Sequence, residues 1–280
     1  MTRSQSSARS SKQRRRGTDA AVRAAALPTG PVETSCATAR LELRDTGVLL
    51  LLDGTESSWV DLRDPTHLDF EYLQQMDAVV SALCGRGGPL RALHLGGAGC
   101  ALARAWDAAR PGSTQLAVEI DAVLARKVRE WFDLPRAPRL RIRVGDAAQV
   151  VGTLHAEAWD VVVRDVFAGG MVPGACRGRE FLSECRRLLA PGGLYLANTV
   201  CPPRDAVAAE LAHLCAVFGG VLVVGDPAVV RGRRRGNLVL VARAQPFTPP
   251  EVDAVERAVR RLPLPVRTWR PNDPALPQPS

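Results

Sequence analysis

Three acidic residues stand at the ends of apolar runs. Glu119 closes "TQLAVE", Asp146 follows "RIRVG", and Asp165 follows "WDVVVR". A further apolar run, "LRALHL", ends at Gly96 and Gly97, with Gly99 two residues on. Glycines there let the backbone turn sharply and let a ligand approach where a Cβ would stand in the way. An acidic side chain about twenty residues after such a turn can accept hydrogen bonds from both hydroxyls of a ribose. Asp146 can accept from an adenine amino group, while Ala147 leaves room for the ring and offers a backbone N–H. Asp165 then faces the reacting end of a bound nucleoside. The joint pattern describes an adenosine pocket without a pyrophosphate clamp. The third glycine of a dinucleotide GxGxxG would fall on Leu102. Structural roles compete at each position. Asp121 reads as a helix N-cap, and the same reading is open for Asp146. Asp165 could cap a helix or pair with Arg164 or Arg177.

These positions need a particular frame. Strands are predicted at 91–95, 114–119, 139–144, 159–164, 193–199, 220–225 and 237–243, and helices at about 99–109, 121–131, 146–153, 178–189 and 204–217. Runs such as "WDVVVRD" have no polar face, as expected when helices cover both sides of a parallel sheet. The alternation predicts a doubly wound, Rossmann-like α/β domain. Its last two strands, "GGVLVVGD" and "GNLVLVAR", are joined by "PAVVRGRRR", too short for a crossover helix. An antiparallel hairpin at the end of a seven-stranded, mostly parallel sheet is typical of the class I methyltransferase architecture rather than of a dehydrogenase. In such sheets ligands bind at the carboxyl ends of the strands. The Gly-rich loop from Val166 to Arg177 is long enough to cover a pocket there. Before this domain, "ARLELRDTGVLLLLDGTESSWVDL" reads as short strands joined at Asp-Thr-Gly and Asp-Gly turns. A helix is predicted to follow from a cap at Asp64, with Leu68, Tyr72, Met76, Val79, Val80 and Leu83 on its apolar face. The expected organisation is a disordered basic tail over 1–38, a β element over 39–64, the nucleoside-binding domain over 65–245, a helix over 246–262 and a loose Pro-rich tail over 263–280.

The 280 residues carry 37 positive and 29 negative side chains, a formal charge of +8. Residues 1–23 hold seven of the cations against Asp19 alone, a net of +6, so the remainder carries only +2. The folded part is thus nearly neutral. This argues against nucleic acid as a main partner and leaves it to weak contacts of the tail. Seven cysteines without a CxxC pair fit free thiols in a reducing cytoplasm. No apolar run reaches the roughly 18 residues of a membrane span, and the basic N-terminus lacks the apolar segment of a signal peptide. The four histidines show no metal spacing, so no metal is expected, and His94, inside a strand, reads as a core residue. "RGRRRG" at 231–236 reads as a solvated basic turn whose charge could meet an acidic partner. The exposed N-terminal strands offer an edge for a homodimer.

Several stretches together resemble the spermidine synthase family, the polyamine aminopropyltransferases, in its actinobacterial form. They are "DPTHLDFEYLQQMDAVV", "LRALHLGGAG", "AVEIDAVL", "RVGDAAQVV", "DVVVRDVFAGGMVP", "EFLSECRRLLAPGGLYLAN" and "RGRRRGNLVLVA", running from about Ser57 to Arg243. The resemblance implies transfer of an aminopropyl group from decarboxylated S-adenosylmethionine to a small-molecule amine. It assigns Gly96, Gly97, Gly99, Glu119 and Ile120 to the nucleoside and Asp146 and Ala147 to the adenine. Asp165 falls at the reacting centre, and Tyr72 and Gln75 on the substrate side. Two family carboxylates are absent. The glycine motif reads Gly96-Gly97-Ala98-Gly99-Cys100-Ala101 without its Asp, and the second Asp of the strand-end motif is Ala168. Asp69, Glu71 and Glu180 are other possible sources of negative charge. Methyl transfer from intact S-adenosylmethionine to a small molecule, and nucleoside binding without catalysis, stand as alternatives.

Overall fold

Alternating apolar strands and amphipathic helices build one twisted sheet covered on both faces. A computed structural model describes residues 20–278. A four-stranded antiparallel sheet comes first, with β1 (Val32–Glu33), β2 (Thr38–Arg44), β3 (Gly47–Leu52) and β4 (Thr55–Asp61) in that order. After α1 (Glu71–Leu83) come β5 (Arg91–Leu95), α2 (Ala101–Ala109), β6 (Thr114–Glu119), α3 (Ala122–Phe132), β7 (Leu140–Val144) and the single turn α4 (Ala147–Val150). Then follow β8 (Trp159–Arg164), α5 (Arg179–Leu188), β9 (Leu189–Cys201), α6 (Arg204–Val217), β10 (Gly220–Gly225), the short α7 (Pro227–Val230) and β11 (Gly236–Arg243). The last elements are α8 (Pro249–Val259) and β12 (Arg267–Trp269).

The large sheet has the order β12-β10-β11-β9-β8-β5-β6-β7. Strands β9, β8, β5, β6 and β7 are parallel, whereas β11 runs antiparallel to both β9 and β10. This is the expected doubly wound architecture with its antiparallel hairpin. Side chains alternate between the faces: Val161 and Val163 join one apolar cluster with α1, α2, α3 and α8, while Val162 joins the other with α5 and α6. His94 points into the first cluster. Its Nε2 lies 2.9 Å from Gln115 Oε1, and burial pushes its pKa down to about 4 against that hydrogen bond, so the ring is neutral at pH 7.

The structure departs from the expected organisation chiefly in four places. The sheet has eight strands rather than seven, because Arg267–Trp269 pairs with β10. The Pro-rich C-terminal stretch is therefore packed, with Trp269 and Leu276 buried. Order also begins before Ala39. Residues 20–25 are helical, Ala20 is buried and β1 pairs with β2, whereas residues 1–19 of the expected tail lie outside the described residues. Finally, α1 starts at Glu71 and not at Asp64. The Asp64 carboxylate instead accepts from the Thr66 backbone N–H at 2.9 Å and hydroxyl at 2.7 Å, which holds a local turn. Among the described residues no helix is long and apolar enough to cross a membrane.

Candidate active site

Strand register gathers the site. Ala197, Arg164, Leu95 and Val118 are successive partners across β9, β8, β5 and β6. The next residue on each strand, Asn198, Asp165, Gly96 and Glu119, forms a row at the carboxyl edge. The tips are tied together by backbone hydrogen bonds from Gly96 N to Val118 O (3.0 Å), Asp165 N to Leu95 O (2.7 Å) and Gly145 N to Glu119 O (2.9 Å). Above this row opens a cavity of about 1070 Å³, at the upper end of ligand-site volumes. It has room for a nucleoside and a second small molecule.

At one end the chain is shaped by its own backbone. Gly96 has φ +93°, and a Cβ there would lie 2.1 Å from the carbonyl oxygen of Asp165, so only glycine fits. Ala98 and Cys100 also take positive φ, at 36° and 54°, so this turn holds backbone strain. Glu119 organises it. One carboxylate oxygen accepts from Gly97 N (3.1 Å) and Ala98 N (2.8 Å), and the other from Asp121 N (3.0 Å). A carboxylate offers about four acceptor positions, so roughly one remains for a ligand. Asp146 caps α4 through Ala148 N (2.9 Å) while it lines the cavity beside Ala147. Ile120 lines the same end with 59% of its surface exposed. Gly99 does not line the cavity. Its N–H donates to Ser58 Oγ at 3.0 Å, and a Cβ would meet Ser58 Cβ at 2.7 Å, so its small size serves the packing of β4. Asp121 is the N-cap of α3, through Leu124 N, and also accepts from Ser35 N and Cys36 N. Burial works against its charge, but these donors hold its pKa at about 2.

At the other end side chains hold one another. Half-buried Asp165 accepts from Tyr72 Oη at 2.8 Å and from Asn198 Nδ2 at 2.8 Å. Asn237 Nδ2 in turn donates to Asn198 Oδ1 at 2.8 Å. Burial pushes the Asp165 pKa above the ordinary carboxylate value, while Asn198, Tyr72 and Arg164 pull it down. Burial and the adjacent Asp165 push the Tyr72 pKa well up, so its hydroxyl stays protonated and donates. Arg164 does not pair with Asp165. Fully buried, it pairs with Glu210 on α6 and donates to the Asn198 carbonyl. It thereby fixes the backbone of the residue that holds Asp165. Gln75 is 3% exposed, lines the cavity, and its Oε1 has no hydrogen-bond partner among the described residues.

Gly96, Gly97, Glu119, Ile120, Asp146, Ala147, Asp165, Tyr72 and Gln75 thus line one cavity. Asp69 and Glu71 also line it, and Glu180 does not. Ala168, where the resemblance implies a second Asp, lies on the covering loop. It exchanges backbone hydrogen bonds with Met171 across Gly169 and Gly170. Both glycines have positive φ, 58° and 74°, the requirement of a type I′ turn. Asn198 and Asn237 had no signal in the sequence beyond their positions at strand ends. No cluster of three or more metal-ligating residues occurs among the described residues.

No protein-family model matches the chain. A probable spermidine synthase from Corynebacterium glutamicum is 34% identical, with a TM-score of 0.80 over 91% of this chain and 97% of that one. The chain belongs to the spermidine synthase-like family. A polyamine aminopropyltransferase of Vibrio vulnificus is 31% identical over 113 residues, 40% of this chain. The chain spans about four-tenths of the length of that curated relative. Human Methyltransferase-like protein 13, solved in complex with SAH, is 26% identical with a TM-score of 0.56, over 74% of this chain and 98% of that one. The spermidine synthase and class I methyltransferase folds are thus both represented among its neighbours.

Proposed function

We propose that the protein transfers an aminopropyl group from decarboxylated S-adenosylmethionine to a small-molecule amine. The observation that carries this reading is the half-buried Asp165 at the floor of a strongly acidic cavity. Nine carboxylates line the cavity against two guanidiniums, a balance that favours cationic ligands. In the reaction an amine nitrogen bonds to the carbon beside a sulfonium as the C–S bond breaks. Methylthioadenosine leaves as a neutral thioether, and the amine gives up a proton.

Asp165 is suited to receive that proton. Its pKa is raised by burial, and a stronger base transfers protons more effectively near neutral pH. Tyr72 and Asn198 occupy one acceptor position on each oxygen and orient the carboxylate, leaving others for the amine. Gln75 Oε1 supplies a further acceptor for an amine N–H, and Asp69 and Glu71 draw the cation toward the mouth. At the other end Glu119 binds a ribose hydroxyl, and Asp146 with Ala147 and Ile120 receives the adenine. The names of the relatives support this polyamine chemistry.

A second reading, methyl transfer from intact S-adenosylmethionine, draws on Ala168 and the acid-free turn at 96–101, and on the SAH-bound neighbour. A third, nucleoside binding without turnover, rests on the same missing carboxylates. Seven free cysteines favour a reducing compartment such as the cytoplasm. Calorimetric titration with S-adenosylmethionine, its decarboxylated form and methylthioadenosine, followed by product analysis with putrescine, separates the readings. Release of methylthioadenosine with aminopropyl-putrescine formation is the expected result. Binding without turnover on any amine would overturn transfer in favour of the third reading.

A further inference from the structure

The two guanidiniums of the cavity belong to Arg234 and Arg235. Their location follows from the topology. Because β11 runs antiparallel to β9, its first residue, Gly236, pairs with Cys201 at the end of β9. The residues just before β11 therefore emerge over the carboxyl ends of the parallel strands. The connection is built, not loose. Asp226 caps α7 through Ala228 N at 2.6 Å, and the N–H groups of Arg233 and Arg234 both donate to Ala228 O, at 2.8 and 3.3 Å. Gly232 makes the turn with φ +69°. Two residues beyond Arg235, Asn237 enters the hydrogen-bonded row that ends at Asp165.

Both arginine side chains are exposed at the mouth. Arg234 pairs with Asp226 through one nitrogen at 3.4 Å, and Arg235 has no hydrogen bond or ion pair among the described residues. A guanidinium is a planar fork of donors that matches a carboxylate. We propose that Arg234 and Arg235 form a carboxylate-binding rim, so that a ligand of this cavity carries a carboxylate as well as a cationic centre. This deepens the proposed function and rests on its assignment of the cavity as the transfer site. Under aminopropyl transfer the carboxylate belongs to the acceptor, which is then an amino acid-like amine; under the methyl-transfer reading it is the aminoacyl end of intact S-adenosylmethionine.

Two ligand pairs that differ by one carboxylate distinguish these sources. The first is S-adenosylmethionine against its decarboxylated form. The second is ornithine against putrescine, titrated into protein saturated with methylthioadenosine. Wild-type protein is expected to prefer the carboxylate-bearing member of one pair by about tenfold, the effect of a charge-assisted hydrogen bond. Preference in the first pair assigns the carboxylate to the donor, and in the second to the acceptor. Arg234→Gln with Arg235→Gln removes that preference while methylthioadenosine, which has no carboxylate, binds as before. Absence of preference in both pairs, or its survival in the double variant, overturns the rim. Failure of methylthioadenosine to bind the wild-type protein counts instead against the nucleoside reading. The ornithine and putrescine titrations without nucleoside then still test the rim.

Discussion

The two ends of the cavity are built on different principles. At the Glu119 end, side chains are fixed by backbone within a few residues or on the neighbouring strand: Gly97, Ala98 and Asp121 donate to Glu119, and Ala148 donates to Asp146. At the Asp165 end, Tyr72, Asn198 and Asn237 come from α1, β9 and β11 and hold one another. The first arrangement makes a preformed cradle whose shape depends on glycine. The second makes an adjustable chain of hydrogen bonds whose properties depend on every member. Binding is therefore expected to depend mainly on one end and chemistry on the other.

The largest test of that division is Asp165→Asn. Turnover should fall by about 10²–10⁴, the range for loss of a general base, while methylthioadenosine affinity stays within about twofold of wild type. The same substitution should raise the melting temperature at neutral pH. The folded-state pKa of Asp165 lies above its unfolded value, so its stabilising protonation is full below the unfolded pKa and lost as pH rises through the folded one. Wild-type turnover in this variant would remove Asp165 from the mechanism. Next in size, Glu119→Gln should weaken nucleoside binding by about tenfold, because an amide sets a donor against backbone N–H groups. Unchanged affinity in a calorimeter would refute its ribose role and merge the two ends. Asn237→Ala should cost only about a factor of five in kcat, one neutral hydrogen bond acting through Asn198, with nucleoside affinity unaltered. The smallest effect is a displacement. Activity should decline as acid protonates Asp165, and Tyr72→Phe, by removing a donor that favours the ionised form, should move this limb of the kcat/KM profile to higher pH. Glu119→Gln should leave the limb where it is.

The same contrast explains what was legible in the sequence. The glycine turn, Glu119 and Asp146 could be read because their spacing along the chain is their geometry: strand, turn, helix, then the next strand. The strands from 91 to 164 were legible for the same reason, since buried parallel strands are short apolar runs with punctuated ends. Asn198 and Asn237 lie 33 and 39 residues from the groups they bond, and only strand register brings them together. Arg234 and Arg235 read as a solvated turn, because their charge is local while the place where they emerge is set by the direction of β11. The Pro-rich C-terminal segment reads as loose because Trp269 and Leu276 find their burial only against elements distant in sequence. Gly99 reads as a ligand glycine for a related reason. A glycine excused from carrying a Cβ by a neighbouring sheet looks, in one dimension, like a glycine excused by a ligand.

That contact between Gly99 and Ser58 has a mechanical consequence. The antiparallel sheet at the front of the chain rests on the loop that shapes the nucleoside end, with only the short Ser58 side chain between the two backbones. Tilting of those four strands is thus transmitted to the positions of the Gly97 and Ala98 amides and, through them, to the Glu119 carboxylate. Whatever binds or clamps the front sheet acquires leverage over how tightly a nucleoside is held.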